Sequence, residues 1–378
     1  MGFRSLTMGP QLAARAAALL AVFVGALLST APGFPEWSQR TSTSEAAAKD
    51  DNHRAVIVHF LGGDGESTLS GRLTLPPAGP KAGDERPPVI VLSHGLGLSQ
   101  DCGLDPFVEA FAGAGFASFT FDYATFGASG GSPRHVVNPA GHVADLSSAV
   151  RTVRERAGKL GVDGERIGLW GTSLGGGHAL LVAAASSGGG RDDGDELVGS
   201  VRAVVAQVPH LASGLESVTE TIIRDPLGTL PGLARVVAGF LRGLFQAVLS
   251  GRPWYIPLVG LPGSAAMMQN DGDEQGYLSL IPEGGGRHGW RNGATIGSIP
   301  RTLAYRPLGS ISDVRVPALL VAAGDDTLCP AHRVERAAKL APNAELVLIE
   351  GAGHFDIYSG DSLSRVLKAE IAFFQMIL

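Results

Sequence analysis

The chain has 378 residues, 44% hydrophobic and 17% charged, which is enough apolar content for a large buried core and excludes disorder throughout. Glycine numbers 53 without a G-X-Y period, excluding a collagen-like chain; 30 basic against 36 acidic residues give −6, without the basic footprint of a nucleic-acid binder. Cys102 and Cys329 allow at most one internal bridge, and no CxxC or Cys/His cluster points to structural zinc.

Residues 1–35 carry Arg4 and Arg15 but no acid, and the apolar run Ala16–Leu28 leads into Ser29-Thr30-Ala31-Pro32. A basic start, a short apolar middle and a small-residue exit predict a secretory signal peptide cut after Ala31. The run is short for a bilayer span of about 20 residues. Second to that reading is an uncleaved anchor, which would tie the chain to a membrane. With Arg15 held inside, either would place the rest outside the cytoplasm. An organelle transit peptide is the third reading. Residues 36–52 are polar and rich in Ala, Ser and Thr, a linker, so residues 53–378 hold the folded domain.

Strands are predicted at Val56–Phe60 and Thr68–Leu75 around the turn Gly62-Gly63-Asp64-Gly65, then at Pro88–Ser93, Phe116–Tyr123, Arg166–Trp170, Ala203–Val208, Ala318–Ala322 and Glu345–Ile349. Helical patterns lie between them, at Pro106–Ala114, Ala140–Ala157, Leu174–Ala185, Ala331–Leu340 and Ser362–Met376. Strands alternating with helices predict an α/β fold, a mostly parallel sheet covered by helices on both faces, with the opening hairpin as its antiparallel edge. About residues 211–310 interrupt the alternation as an inserted helical cap. Within it Leu230, Leu233, Val236, Val237, Phe240, Leu241, Leu244, Phe245 and Val248 share one helix face, read as cap core ahead of an acyl-binding lid or a membrane contact. The acidic stretch Gly188–Glu196 lacks the periodicity of a calcium loop and reads as a solvated loop.

Gly171-Thr172-Ser173-Leu174-Gly175 follows a strand and opens a helix, the context in which G-x-S-x-G lifts a serine hydroxyl above a sheet. Gly127-Ala128-Ser129-Gly130-Gly131 fits the same pattern but leads into a loop, so it reads as a turn. A serine needs an imidazole base that a carboxylate orients. His354 follows the last strand; His94 and His178 read as structural, and His210 enters the cap. For the acid, Asp326 in Ala323-Gly324-Asp325-Asp326-Thr327-Leu328 is favoured over Asp325 and Asp356. Asp326 lies 153 residues after Ser173 and His354 28 further on. An oxyanion hole would take its N–H groups from Leu174 and, in the loop His94-Gly95-Leu96-Gly97, from Leu96.

On these motifs (HGLG, FDYATFGASGG, GTSLGG, GDDTLCP and GAGHFDIY, in that order) residues 56 to the end resemble the α/β-hydrolases. More narrowly they are similar to the serine aminopeptidase and dipeptidyl-peptidase-like groups and to fungal polyketide acyltransferases. The resemblance implies a serine hydrolase acting on a carboxylic ester or related acyl bond of a small molecule, without metal or dissociable cofactor. An acyltransferase or a peptidase on the same residues is the runner-up, and a non-catalytic binding protein stands behind both.

Overall fold

The apolar runs assemble into one eight-stranded sheet, and their period-2 alternation decides which face each side chain covers. In the computed structural model, which describes residues 55–77, 85–188, 197–224 and 226–378, the strands are β1 (Ala55–Leu61), β2 (Thr68–Thr74), β3 (Pro88–Ser93), β4 (Ala117–Phe121), β5 (Asp163–Thr172), β6 (Ala203–Gln207), β9 (Ala318–Ala323) and β10 (Ala344–Ile349). Their order is β1-β2-β4-β3-β5-β6-β9-β10. The hairpin β1–β2 joins β4 antiparallel, and every pair from β4 to β10 is parallel. This is the expected mostly parallel sheet with an antiparallel edge.

Val89 and Val91 of β3 turn to one face and Ile90 and Leu92 to the other. The first face packs on helices α2 (Pro139–Leu160), α3 (Leu174–Ser186) and α8 (Ala331–Leu340). The second carries α1 (Asp105–Gly113) and α9 (Gly360–Ile377), where Phe107 lies 4.6 Å from the Trp170 ring. Both faces are covered, which explains why the inner strands read as continuous apolar runs. β5 starts three residues before its predicted beginning because Asp163 pairs with Pro88, a contact that no apolar pattern announces.

Between β6 and β9 the chain forms α4 (Gly214–Arg224), α5 (Pro226–Ser250), the short antiparallel pair β7 (Tyr255–Ile256) and β8 (Ala294–Thr295), α6 (Asp273–Ser279) and α7 (Ser298–Ala304). The α5 stripe departs from the cap-core expectation. Leu241 is 45% exposed and Phe245 66%. Residues 1–54 and 189–196 lie outside the described residues, and with them the expected signal segment, the linker and nearly all of the acidic loop. Among the described residues no helix is long and apolar enough to cross a membrane.

Candidate active site

β5 ends at Thr172 and α3 begins at Leu174, so Ser173 alone makes the turn between strand and helix. It does so at φ 56° and ψ −121°, a conformation that costs a non-glycine residue about 1–3 kcal/mol. Neighbours hold it there: its N–H donates to the Gln207 carbonyl at 2.9 Å, and its own carbonyl accepts the His210 N–H at 2.8 Å. The flanking glycines are required by space. A Cβ on Gly171 would lie 2.3 Å from the Gly175 carbonyl oxygen, and one on Gly175 2.5 Å from that of Ser93.

The hydroxyl so presented meets an imidazole. His354 Nε2 lies 3.1 Å from Ser173 Oγ, and His354 Nδ1 lies 2.7 Å from Asp326 Oδ2. His354 is set down by the turn after β10, and Asp326 by the turn after the neighbouring strand β9. The other Asp326 oxygen accepts the N–H groups of Leu328 at 2.8 Å and Cys329 at 2.7 Å, which fixes the carboxylate plane. Burial disfavours the imidazolium of His354. The Asp326 carboxylate more than offsets this, and the ring binds its proton well above the usual histidine value. Asp325 and Asp356 are exposed: the Asp325 N–H serves the Ala352 carbonyl, and the Asp356 carboxylate caps the Gly353 N–H.

Leu96 lies beside this centre. A Cβ on the preceding Gly95 would come within 3.3 Å of Ser173 Cβ. Among the described residues neither the Leu96 nor the Leu174 N–H has a protein acceptor. The Leu174 N–H opens α3, where the first amides of a helix are free and the dipole favours negative charge. His94 and His178 are buried. The His94 ring donates from Nδ1 to the Gly95 carbonyl at 3.1 Å, and His178 Nδ1 meets the Tyr305 hydroxyl at 2.7 Å. Burial pushes the His210 imidazole down to about 4, and its proximity to Arg333 adds to this.

Several neighbours have no role assigned by the motifs. Cys329 is buried beside His354, and burial raises its thiol above the usual value; Cys102 and Cys329 are both free thiols. Asp273, at the start of α6, is buried, and this pushes its carboxyl up to about 6, while the Asn270 N–H it accepts pulls the other way. Tyr277 and Trp290 of the cap reach the Leu96–Gly97 loop. Among the described residues Asp326, Cys329 and His354 are the one group of donors close enough for a metal ion, within 4.8 Å of one another. Both Asp326 oxygens are already engaged, by His354 and by two backbone amides, so the donors serve each other. A separate cavity of about 400 Å³, lined by Thr125, His142, Trp254 and Arg301 among others, touches none of Ser173, His354 or Asp326.

A family model described as the alpha/beta hydrolase fold matches residues 88–361. The quorum-quenching protein AidA of Acinetobacter baumannii is 30% identical over 293 residues, 77% of this chain and 87% of that protein. The polyketide transferase af380 of Aspergillus fumigatus is 26% identical over 297 residues, 77% of this chain and 90% of its own length, in line with the expected fungal likeness. The crystal structure of a hypothetical protein from Pseudomonas aeruginosa superposes with a TM-score of 0.66 at 23% identity, covering 91% of this chain and 99% of that one. At that identity the likeness is one of fold.

Proposed function

The chain belongs to the alpha/beta hydrolase family, and within it we propose a serine hydrolase that cleaves a carboxylic ester or related acyl bond of a small molecule through an acyl-enzyme. The observation that carries the reading is the 3.1 Å approach of His354 Nε2 to a serine hydroxyl on a strained strand-to-helix turn. Ser173 Oγ attacks the acyl carbon while His354 Nε2 takes its proton, and Asp326 holds the ring with Nδ1 protonated. The tetrahedral oxyanion is held by the Leu96 and Leu174 N–H groups. His354 then gives its proton to the leaving alcohol. In the second half a water attacks the acyl carbon as His354 takes its proton, and His354 passes that proton to Ser173 Oγ as the acyl–Oγ bond breaks and the acid leaves. No step calls for a metal or a dissociable cofactor.

A fluorophosphonate probe tests this: it should label the full chain once, on the peptide bearing Ser173, and labelling elsewhere would count against it. The polyketide transferase relative favours a second reading, in which an alcohol or thiol takes the acyl group in place of water. The ratio of transfer to hydrolysis when a thiol or alcohol is added to the acyl-enzyme separates the two. Export belongs to the same proposal, resting on Arg15 and the apolar run Ala16–Leu28. Tagged full-length chain should be found beyond the cytoplasmic membrane, cut near Ala31 or still attached. Cytosolic chain beginning at Met1 or Gly2 would contradict it.

A further inference from the structure

The loop that offers the Leu96 N–H is tied down from above by the cap. The Tyr277 hydroxyl donates to the Leu96 carbonyl at 2.7 Å, and the Trp290 indole N–H donates to the Gly97 carbonyl at 2.9 Å. One residue earlier the Gly95 carbonyl takes the His94 Nδ1–H at 3.1 Å and the Leu98 N–H at 3.4 Å. Three consecutive carbonyls are therefore anchored, two of them by the cap. A peptide unit is planar, so a held carbonyl fixes the direction of the N–H on its far side. The peptide that carries the Leu96 N–H is held through the Gly95 carbonyl, while Tyr277 holds the peptide on the other side of Leu96 and Trp290 the one beyond it, so the cap limits how far the loop can rotate and carry that N–H away from Ser173.

The same helix reaches the other side of the site. Tyr277, on α6, is 2% exposed, with its ring 5.7 Å from Trp290 and 6.3 Å from Phe355. Its neighbour Gly276 sits so close to Phe355 that a Cβ there would lie 2.4 Å from that ring. Phe355 in turn packs edge-on to His354 at 5.0 Å. α6 is thus wedged between the loop of the oxyanion donor and the turn of the base.

We propose that Tyr277 and Trp290 are positioning residues for the oxyanion hole, so that the cap forms part of the catalytic apparatus as well as covering it. The proposal rests on the serine hydrolase reading above. An oxyanion donor is useful only where it is already aimed at the developing charge, and removing one outright costs on the order of 10²–10³ in kcat. Loosening one that remains costs less, about tenfold on the same scale. The substrate ground state, with a neutral carbonyl, gains little from the same alignment, so the loss falls on kcat and spares KM.

Tyr277→Phe removes one hydroxyl and keeps the ring, and Trp290→Phe removes the indole N–H. Each, in the full chain, is assayed on an aryl ester and against a trifluoromethyl ketone whose hemiketal oxygen occupies the hole. Each should lower kcat about tenfold with KM within about twofold and weaken the ketone in step with kcat, while the pH midpoint set by His354 stays in place. Unchanged kcat, or a loss confined to KM, overturns the proposal. If Trp290→Phe does not fold, Tyr277→Phe decides alone. Turnover that survives Ser173→Ala overturns the hydrolase reading itself. Dependence on Ser173 with a normal Tyr277→Phe enzyme overturns the positioning role only.

Discussion

Residues 127–131 and 171–175 both spell G-x-S-x-G, and the two segments have opposite fates. The Ser129 hydroxyl donates to the Asp122 carbonyl at 2.5 Å and accepts the Ser70 N–H at 2.9 Å, so its hydrogen bonding is spent on backbone. The carboxylate behind it is spent too: Asp122 accepts the N–H groups of Gln100 and Ala128 and the Gln100 side-chain amide. That turn stitches β2 to the loop after β4. The Ser173 hydroxyl instead faces an imidazole nitrogen, and Asp326 divides its oxygens between backbone amides and that imidazole. The pattern encodes a tight turn in both places. Reactivity depends on what is left for the hydroxyl to bond, and on the helix that follows.

The comparison breaks first at Ser173. Ser173→Ala should reduce ester turnover by a factor on the order of 10⁴–10⁶ and abolish fluorophosphonate labelling, while circular dichroism stays native. Retained labelling would mean that the wrong segment carries the chemistry.

Next in size is the pair of carboxylates that stand side by side. Asp326→Asn leaves the His354 ring without the acceptor that fixes its tautomer, and kcat should fall by up to about 10⁴. Asp325→Asn alters an exposed side chain and should stay within about twofold, as surface changes usually do. Steady-state kinetics of both variants on one ester decide it, and a crippled Asp325→Asn enzyme would move the acid by one residue.

What the sequence made legible was local. The alternation of apolar strands and helices, the strand-to-helix setting of Ser173 and the strand-end placement of His354 all sit within a few residues of their own signal. Asp325 and Asp326 stand side by side, so the sequence alone cannot decide which faces the imidazole. The two bonds from Tyr277 and Trp290 span 181 and 193 residues, and neither residue carries a motif, so only folding joins them to Leu96 and Gly97. The exposure of Leu241 and Phe245 on α5 has a related origin. Periodicity identifies an apolar stripe but says nothing about how wide a partner covers it.

The Asp326–His354 pair also makes a prediction in pH. The proposed mechanism needs the neutral His354 ring, and Asp326 raises the proton affinity of that ring above the usual histidine value. kcat/KM should therefore rise with pH, with its midpoint above about 6.5. Each unit below the midpoint costs about tenfold. Stability moves the other way: the contribution from charged His354 is complete below the unfolded histidine value and is lost as pH rises through the raised folded one. In Asp326→Asn the ring should titrate at lower pH, read from its imidazole proton resonances. An unmoved titration would show that Asp326 does not hold the proton.

The smallest effect on turnover is expected at Ser129, and there the comparison is sharpened. Ser129 is 2% exposed, and its hydroxyl satisfies a buried amide on β2 and a buried carbonyl after β4. Ser129→Ala leaves the Ser70 N–H without its acceptor. An orphaned buried donor costs about 1–3 kcal/mol, which urea denaturation resolves as a lower midpoint at unchanged slope. Nothing in the reacting centre touches this hydroxyl, so kcat and KM should stay within about twofold, the margin of a change remote from the chemistry. The two serines then give mirror-image phenotypes: at 173 activity is lost and the fold kept, at 129 stability is lost and activity kept. A Ser129→Ala protein as stable as the parent but with depressed kcat would reverse that assignment. It would place the turn after β4 in the catalytic apparatus, which its fully engaged hydroxyl argues against.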